Sequence, residues 1–270
     1  ICEVELMGGW PLIFYLYGSM EIIFLICFYL MITDHPSDNR WLTKEEMIFL
    51  ESSHEQTERK RKLSSIPWRS IFTSPAVYAC LSCNFTFAFA SSLNLNFLPT
   101  FFKEELSLPL SSNGLYTMFP FLSQLFFKNL FALSADYLKR SGRLTPTQTV
   151  KLFQAFGSFG SALAHVGLAF LPSCDRAWIA LVCGFIFGLS FSSGVCGFFT
   201  CMMTVAPSYA GTITSICMIF GQIGNALAPN TVSFVTLMVP PPPPFRVIFM
   251  IGGSGTSPLP LHFPLFFILS

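Results

Sequence analysis

Fourteen of the chain's 29 charged residues, seven Lys/Arg and seven Asp/Glu, lie between Asp34 and Arg69, with long apolar stretches on either side. That distribution fixes the solvent. Apolar residues make up 52% of the 270 and charged residues only 11%, about half the usual share for a soluble domain. With 32 Phe among them, the flanking stretches carry more apolar surface than a soluble fold of this length can hide, whereas a lipid bilayer accepts it. The net charge of +1 and the absence of a basic stripe exclude a polyanionic partner such as nucleic acid.

A hydrocarbon core of about 30 Å takes roughly 20 apolar residues in helical form. On that measure the spans are Pro11–Ile32, Pro75–Phe102, Gly114–Ala135, Val150–Leu171, Ala177–Thr204 and Gly211–Leu237, with a doubtful seventh after Arg246. Period-two alternation is absent, and inside lipid every backbone group must be satisfied within the segment, so the spans are helices. The implied fold class is an all-α membrane protein. Four domains follow: residues 1–32, a first helix; 33–74, the charged loop; 75–237, a helix bundle; and 238–270, an atypical Pro-rich tail.

The charged loop holds seven Lys/Arg, and Lys139, Arg140, Arg143 and Lys151 cluster between 136 and 151. Loops of the other parity carry only Lys103, beside Glu104 and Glu105, and Arg176, beside Asp175. The positive-inside bias puts the first set in the cytoplasm and the chain's start outside or in a lumen. Nothing before the first apolar run resembles a signal peptide, and Ile1 is not a Met. An odd number of spans upstream of Ile1 is therefore expected. Within the charged loop, Thr43 followed by Glu46 reads as a capping box. Glu55 with Arg59 and Glu58 with Lys62 have helical ion-pair spacing, and Arg59–Lys62 suits an anionic lipid surface.

Asp136, Arg140, Gly142 and Arg143 stand in a D-x-x-x-R-x-G-R pattern at the expected cytoplasmic end of a span. A carboxylate and guanidinium groups at helix ends can pair in one state and part in another, which makes a gating latch. The pattern resembles the corresponding loop of the major facilitator superfamily. Further short motifs occur in order: Gly9–Tyr15, Asp34-His35-Pro36, Leu98–Glu104, Asn113-Gly114, Ser134–Leu138 and Ala206–Gly211. Together they resemble the anion:cation symporter family, which includes sialin, the vesicular glutamate transporters and type I sodium/phosphate cotransporters.

The resemblance implies twelve helices in two bundles, with Pro11–Ile32 as the sixth and the charged loop joining the bundles. The chain is then a partial major facilitator fold that lacks the first five helices. The expected function is secondary active symport of small organic or inorganic anions by alternating access, coupled to a proton or sodium ion. The membrane is the plasma membrane or a lysosomal or vesicular one. Phe87 stands where vesicular glutamate transporters carry an Arg, which argues against glutamate as substrate. Thr204 stands where relatives often carry an Asp, and Glu21 where they tend to have a small residue.

Polar residues inside the spans supply the site candidates. Glu21, near the middle of its span, is costly there when ionised; proton coupling is the functional reading, and a tolerated, protonated or misplaced residue the favoured one. Gln124 and Lys128 share a helix face, with Lys128 roughly 12 Å along the axis from Asp136. A cation there suits an anionic substrate, and a long side chain that snorkels to the interface explains it equally well. Asn94 and Asn225 complete the candidate substrate set, although for Asn84, Asn94, Asn96, Gln222 and Asn225 bonds between neighbouring helices are the favoured reading. Gly184, Gly188, Gly194, Gly197, Gly221 and Gly224 permit close helix approach, and Pro229 permits bending.

No metal or cofactor is expected. Cys80 and Cys83 have CxxC spacing, but without a second ligand pair they read as small residues of a span. No enzyme constellation is present: His165 stands alone in its span, and Asn84-Phe85-Thr86 is a sequon in a buried place. Pro240–Pro244 favour polyproline II. The alternative to a transporter is a truncated membrane protein that transports nothing, because the substrate site of this architecture lies between two bundles.

Overall fold

The computed structural model describes residues 11–33, 38–39, 42–50, 66–238 and 245–256. Helices dominate, and no strand occurs among the described residues. They fall into two compact units, Ile1–Ser65 and Ile66–Ser270.

In the first unit, α1 (Pro11–Met31) runs 21 residues, about 32 Å at 1.5 Å per residue and enough for a hydrocarbon core. Its apolar residues go all the way round and none is buried by protein, the pattern of a helix whose solvent is apolar. Glu21 lies exposed at mid-helix. Residues 44–50 are helical. At their start the Thr43 hydroxyl and backbone N–H both donate to the Glu46 carboxylate, at 2.8 and 3.2 Å, which is the Glu46 half of the expected capping box. These two bonds hold that carboxyl below its ordinary pKa. Asp34–Pro36, the Glu55–Arg59 and Glu58–Lys62 pairs, the Arg59–Lys62 cluster, Gly9 and Trp10, and Pro240–Pro244 lie outside the described residues.

The second unit contains α2 (Trp68–Thr73), α3 (Pro75–Glu104), α4 (Leu110–Arg140), α5 (Pro146–Phe170), α6 (Trp178–Val205), α7 (Ala210–Met238) and α8 (Phe245–Thr256). Among the described residues five helices, α1, α3, α5, α6 and α7, are long and apolar enough to cross a membrane. The expected span Gly114–Ala135 does lie within one helix, α4, of 31 residues. Its Ser, Asn, Gln and Lys side chains keep it out of that apolar set. Of the doubtful seventh span, the described residues form a helix of 12 residues, about 18 Å long.

Pairing is closest between α5 and α6, α3 and α7, α4 and α6, and α5 and α8. Two apolar clusters divide the bundle along α3. One gathers Val77, Cys80, Phe87, Phe187, Phe198 and Met202; the other gathers Leu93, Phe101, Phe102, Leu168 and Phe249. Gly157 and Gly194 bring α5 and α6 into close backbone contact. A Cβ on Gly157 would lie 2.5 Å from the Gly194 Cα and N and 2.9 Å from the Ser190 carbonyl.

The start of α5 carries a signal that the expected boundary at Val150 overlooked. Thr145 accepts from the Gln148 N–H at 3.2 Å, and the Gln148 side chain accepts from the Thr145 N–H at 3.0 Å. Pro146 takes the first helical position, where its missing N–H costs nothing. This capping box extends the helix by one turn beyond its apolar part. Thr145→Ala should lower bundle stability by about 1 kcal/mol, read as a lower unfolding midpoint in detergent; an unchanged midpoint would show that the cap contributes nothing.

Candidate functional site

The Asp136–Arg143 segment ends α4. Lys139 Nζ lies 3.9 Å from Asp136 Oδ1, with the carboxylate side 65% exposed. An exposed pair of that length contributes little, about 0–1 kcal/mol, so it can open without large cost. Arg140 and Arg143 are exposed. Gly142 adopts φ +66°, and its N–H closes the helix end onto the Lys139 carbonyl at 3.2 Å. Glycine enters that left-handed conformation without the Cβ penalty. Lys139, counted in the sequence only as a positive charge, is the group that faces Asp136.

Gln124 and Lys128 share the face of α4 that meets α6. Gln124 is buried, and its backbone carbonyl accepts from the Ser192 hydroxyl at 3.3 Å. Lys128 is exposed, and its ammonium stands 6.0 Å from the centroid of the Phe191 ring. Phe191 in turn packs on Phe87 and Phe187, at 5.2 and 5.5 Å between centroids. The ammonium therefore rests at the rim of an aromatic cluster, where the ring quadrupole attracts it. Phe87 is one ring away from it. Phe87 is also pressed against Gly194, where an added Cβ would lie 2.0 Å from its Cζ.

The buried amides make a different set of contacts. Asn94 Nδ2 lies 2.8 Å from the Ala90 carbonyl and 3.0 Å from His165 Nε2. His165 Nδ1 lies 2.8 Å from the Ser161 carbonyl, which can only accept. The proton thus sits on Nδ1, and Nε2 accepts from Asn94. His165 is fully buried among Asn94, Phe187, Gly252 and Gly253, so its solitude in the sequence becomes a bond between α3 and α5. Asn84 Nδ2 donates to the Cys217 carbonyl, joining α3 to α7.

Asn225 is half-buried on α7. Its side chain donates to Gln222 at 3.2 Å, and its backbone carbonyl accepts from the Ser92 hydroxyl of α3 at 3.0 Å. Four residues on stands Pro229, which has no N–H to return to that carbonyl. Ser92 supplies what the proline withholds. Asn96 donates to the Ser92 carbonyl and hydroxyl at 2.9 and 3.1 Å. The candidate residues thus fall into two groups: Gln124 and Lys128 against α6, and Asn94 and Asn225 in the seams between α3, α5 and α7. Cys80 does not pair with Cys83 but meets the Cys201 thiol of α6 at 3.4 Å.

The Major Facilitator Superfamily profile matches residues 6–229. The chain belongs to the major facilitator superfamily. Within that superfamily its relatives are those of the anion:cation symporter branch to which the motif order pointed, and the fold is a partial all-α facilitator fold. It is 31% identical over 234 residues to the uncharacterized transporter slc-17.3 of Caenorhabditis elegans, covering 86% of this chain and 43% of the relative. It is 28% identical to a putative inorganic phosphate cotransporter of Drosophila melanogaster, over 85% of this chain and 43% of the relative. It is also 28% identical to vesicular glutamate transporter 2.2 of Danio rerio, over 85% of this chain and 39% of that protein. The facilitator chain therefore spans less than half the length of these curated relatives, and it is a multi-pass membrane protein of a transporter family, not of an enzyme family.

Proposed function

We propose that this chain supplies the C-terminal bundle, and the helix before it, of a secondary active transporter that carries small anions by alternating access. Its domains on this reading are residues 1–32, the last helix of the first bundle; 33–74, the cytoplasmic inter-bundle loop; 75–237, the second bundle; and 238–270, a tail. The observation that carries it is Lys128. A mid-helix ammonium stacked on Phe191, with Gln124 one turn earlier, offers an anion a charge and an amide in a mostly apolar setting. Phe87 beside it leaves one cation where two would suit a larger dicarboxylate, which favours inorganic phosphate or a monoanion. The names of the phosphate cotransporter relatives support the same class.

Glu21 is the candidate proton carrier, with sodium the other choice of coupling ion. Asn94 and Asn225 are placed to hold helices around the substrate and can touch it only through their remaining acceptor sites. Asp136, Arg140, Gly142 and Arg143, with Lys139 added, form the cytoplasmic latch. The positive-inside bias supports a cytoplasmic charged loop, in a plasma, lysosomal or vesicular membrane.

The test is labelled phosphate uptake into liposomes under a pH or sodium gradient. The chain alone is compared with the chain joined to the N-terminal bundle of a full-length phosphate transporter relative. Gradient-driven uptake by the joined protein only is the expected result. No uptake by either, from well-folded protein, would sink the reading. That result would favour a membrane protein that does not transport. In the joined protein, Asp136→Asn should slow initial uptake about five- to ten-fold, the effect of roughly 1 kcal/mol on a gating step. Its abundance in the membrane should not change, and unaltered kinetics would remove the latch.

A further inference from the structure

Cys80 of α3 and Cys201 of α6 are 121 residues apart in the chain, yet their Sγ atoms stand 3.4 Å from each other. Both are free thiols. They meet near the end of the bundle that carries the 141–145 loop: Cys80 lies in the second turn of α3, and Cys201 four residues before Val205, the last residue of α6. Cys83 and Cys217 belong to the same apolar cluster, against which Cys201 packs. Among the described residues no three His, Cys, Asp or Glu converge as a metal site requires. The chemistry that the Cys80–Cys201 contact offers is therefore that of two thiols.

The two thiols differ in access. Cys80 is 2% exposed, whereas Cys201 is partly exposed and lines a cavity of about 530 Å³. Ala76 of α3, Lys139 of α4, Lys151 of α5 and Thr204 of α6 share its wall. Depth decides what reaches it. α3 and α6 run 30 and 28 residues, about 45 and 42 Å, against about 30 Å for a hydrocarbon core. Centred on the core, each helix extends about 6–7 Å past it, which puts the pair at the hydrocarbon boundary. A small water-borne oxidant can meet Cys201 there. To reach the length of a disulfide bond the two sulfurs have only about 1.4 Å to close.

We propose that Cys80 and Cys201 form a reversible disulfide when a hydroperoxide reaches the cavity, cross-linking α3 to α6. Cys201, the accessible thiol, attacks as its thiolate. Its sulfur bonds to one oxygen of hydrogen peroxide and becomes a sulfenic acid; the other oxygen leaves as hydroxide and takes up the thiol proton as water. The Cys80 sulfur then attacks the sulfenic sulfur. The S–O bond breaks, and the departing hydroxide takes the Cys80 proton as a second water. Two thiols lose two electrons, and one peroxide is reduced to two waters. A dithiol reductant reverses the bond by exchange. In a reducing compartment the pair rests as thiols. Once formed, the bond keeps α3 and α6 from parting at this end of the bundle, and it does not depend on transport or on the substrate.

The test treats the whole chain in a neutral detergent with hydrogen peroxide, alkylates the remaining thiols and maps linked peptides by mass spectrometry. A linked pair of peptides carrying Cys80 and Cys201, which dithiothreitol separates, is expected. The unfolding midpoint should rise by about 5–15 °C with the bond, because it closes so long a loop. Cys80→Ser should leave Cys201 as a sulfenic acid that dimedone traps, and Cys201→Ser should leave Cys80 a thiol. Cys174→Ser, which removes an exposed thiol at the other end of α6, should change nothing. Recovery of both Cys80 and Cys201 as thiols from folded, peroxide-treated protein would overturn the proposal. So would a bond from Cys80 to Cys83, or from Cys201 to Cys217, in place of the cross-link. A midpoint that stays put once the bond has formed would overturn its hold on the two helices. Circular dichroism of each variant separates loss of the bond from loss of fold.

Discussion

Gly157→Ala should cost about 2–3 kcal/mol of bundle stability, and Gly157→Val should leave little folded protein in the membrane. Alanine alone raises helix propensity by about 1 kcal/mol over glycine, so the expected sign runs against the intrinsic one. The reason is what the new methyl meets. Its neighbours are the Gly194 Cα and N at 2.5 Å and the Ser190 carbonyl at 2.9 Å, all backbone, and backbone cannot rotate aside. Relief requires α5 and α6 to separate along the most extensive helix pair in the unit. That separation would also disturb the Ser193 hydroxyl bond to the Phe153 carbonyl, 2.9 Å. Gly114→Ala is the control, since nothing lies within 4 Å of its added Cβ, and it should be neutral or slightly stabilising. The readout is the monodisperse fraction after detergent extraction together with the unfolding midpoint. If Gly157→Ala matches Gly114→Ala, the close approach does not set the packing.

Lys128→Gln should weaken phosphate transport by the joined protein about 30- to 100-fold in apparent affinity, the loss of one charge-assisted hydrogen bond of roughly 2–3 kcal/mol. Its effect on folding should be small. Lys128 is exposed, and its stacking on Phe191 at 6.0 Å contributes only about 0.5–1 kcal/mol. A lysine that merely directs its ammonium toward water would give the reverse pattern, with KM unchanged. Lys128→Arg, which keeps the charge, should recover part of the affinity, and Phe191→Leu should lower it modestly by loosening the ammonium. Full affinity in Lys128→Gln would remove this residue from the site and with it the main support for an anionic substrate.

The spans were legible because lipid imposes one rule on every residue of a crossing helix. A run such as Trp178–Val205 states its fate by composition alone. The ends were less legible: α5 starts at Pro146 because Thr145 and Gln148 cap it, a polar signal that a search for apolar runs passes over. Glycines announced close packing, but not which helix each would meet. Gly184 and Gly188 face Pro120 and Ser123 of α4, while Gly194, one turn and a half later, faces Phe87 of α3 and Gly157 of α5. Such partners depend on helix rotation, which the sequence holds only diffusely. The polar candidates divided for the same reason. Asn94 and Lys128 look alike as polar residues within spans, yet one is buried against His165 and the other is exposed over a ring. The cavity beside Lys151 had no linear signature, since its wall is assembled from four helices.

The Ser92 bond to the Asn225 carbonyl gives the bundle a mechanical property. A proline leaves its helix one rung short, and α7 would ordinarily yield there on its own. Because the missing rung is replaced from α3, any bend at Pro229 must either carry Ser92 along or break that bond. The bend of α7 and the position of Ser92 on α3 are thereby tied to each other.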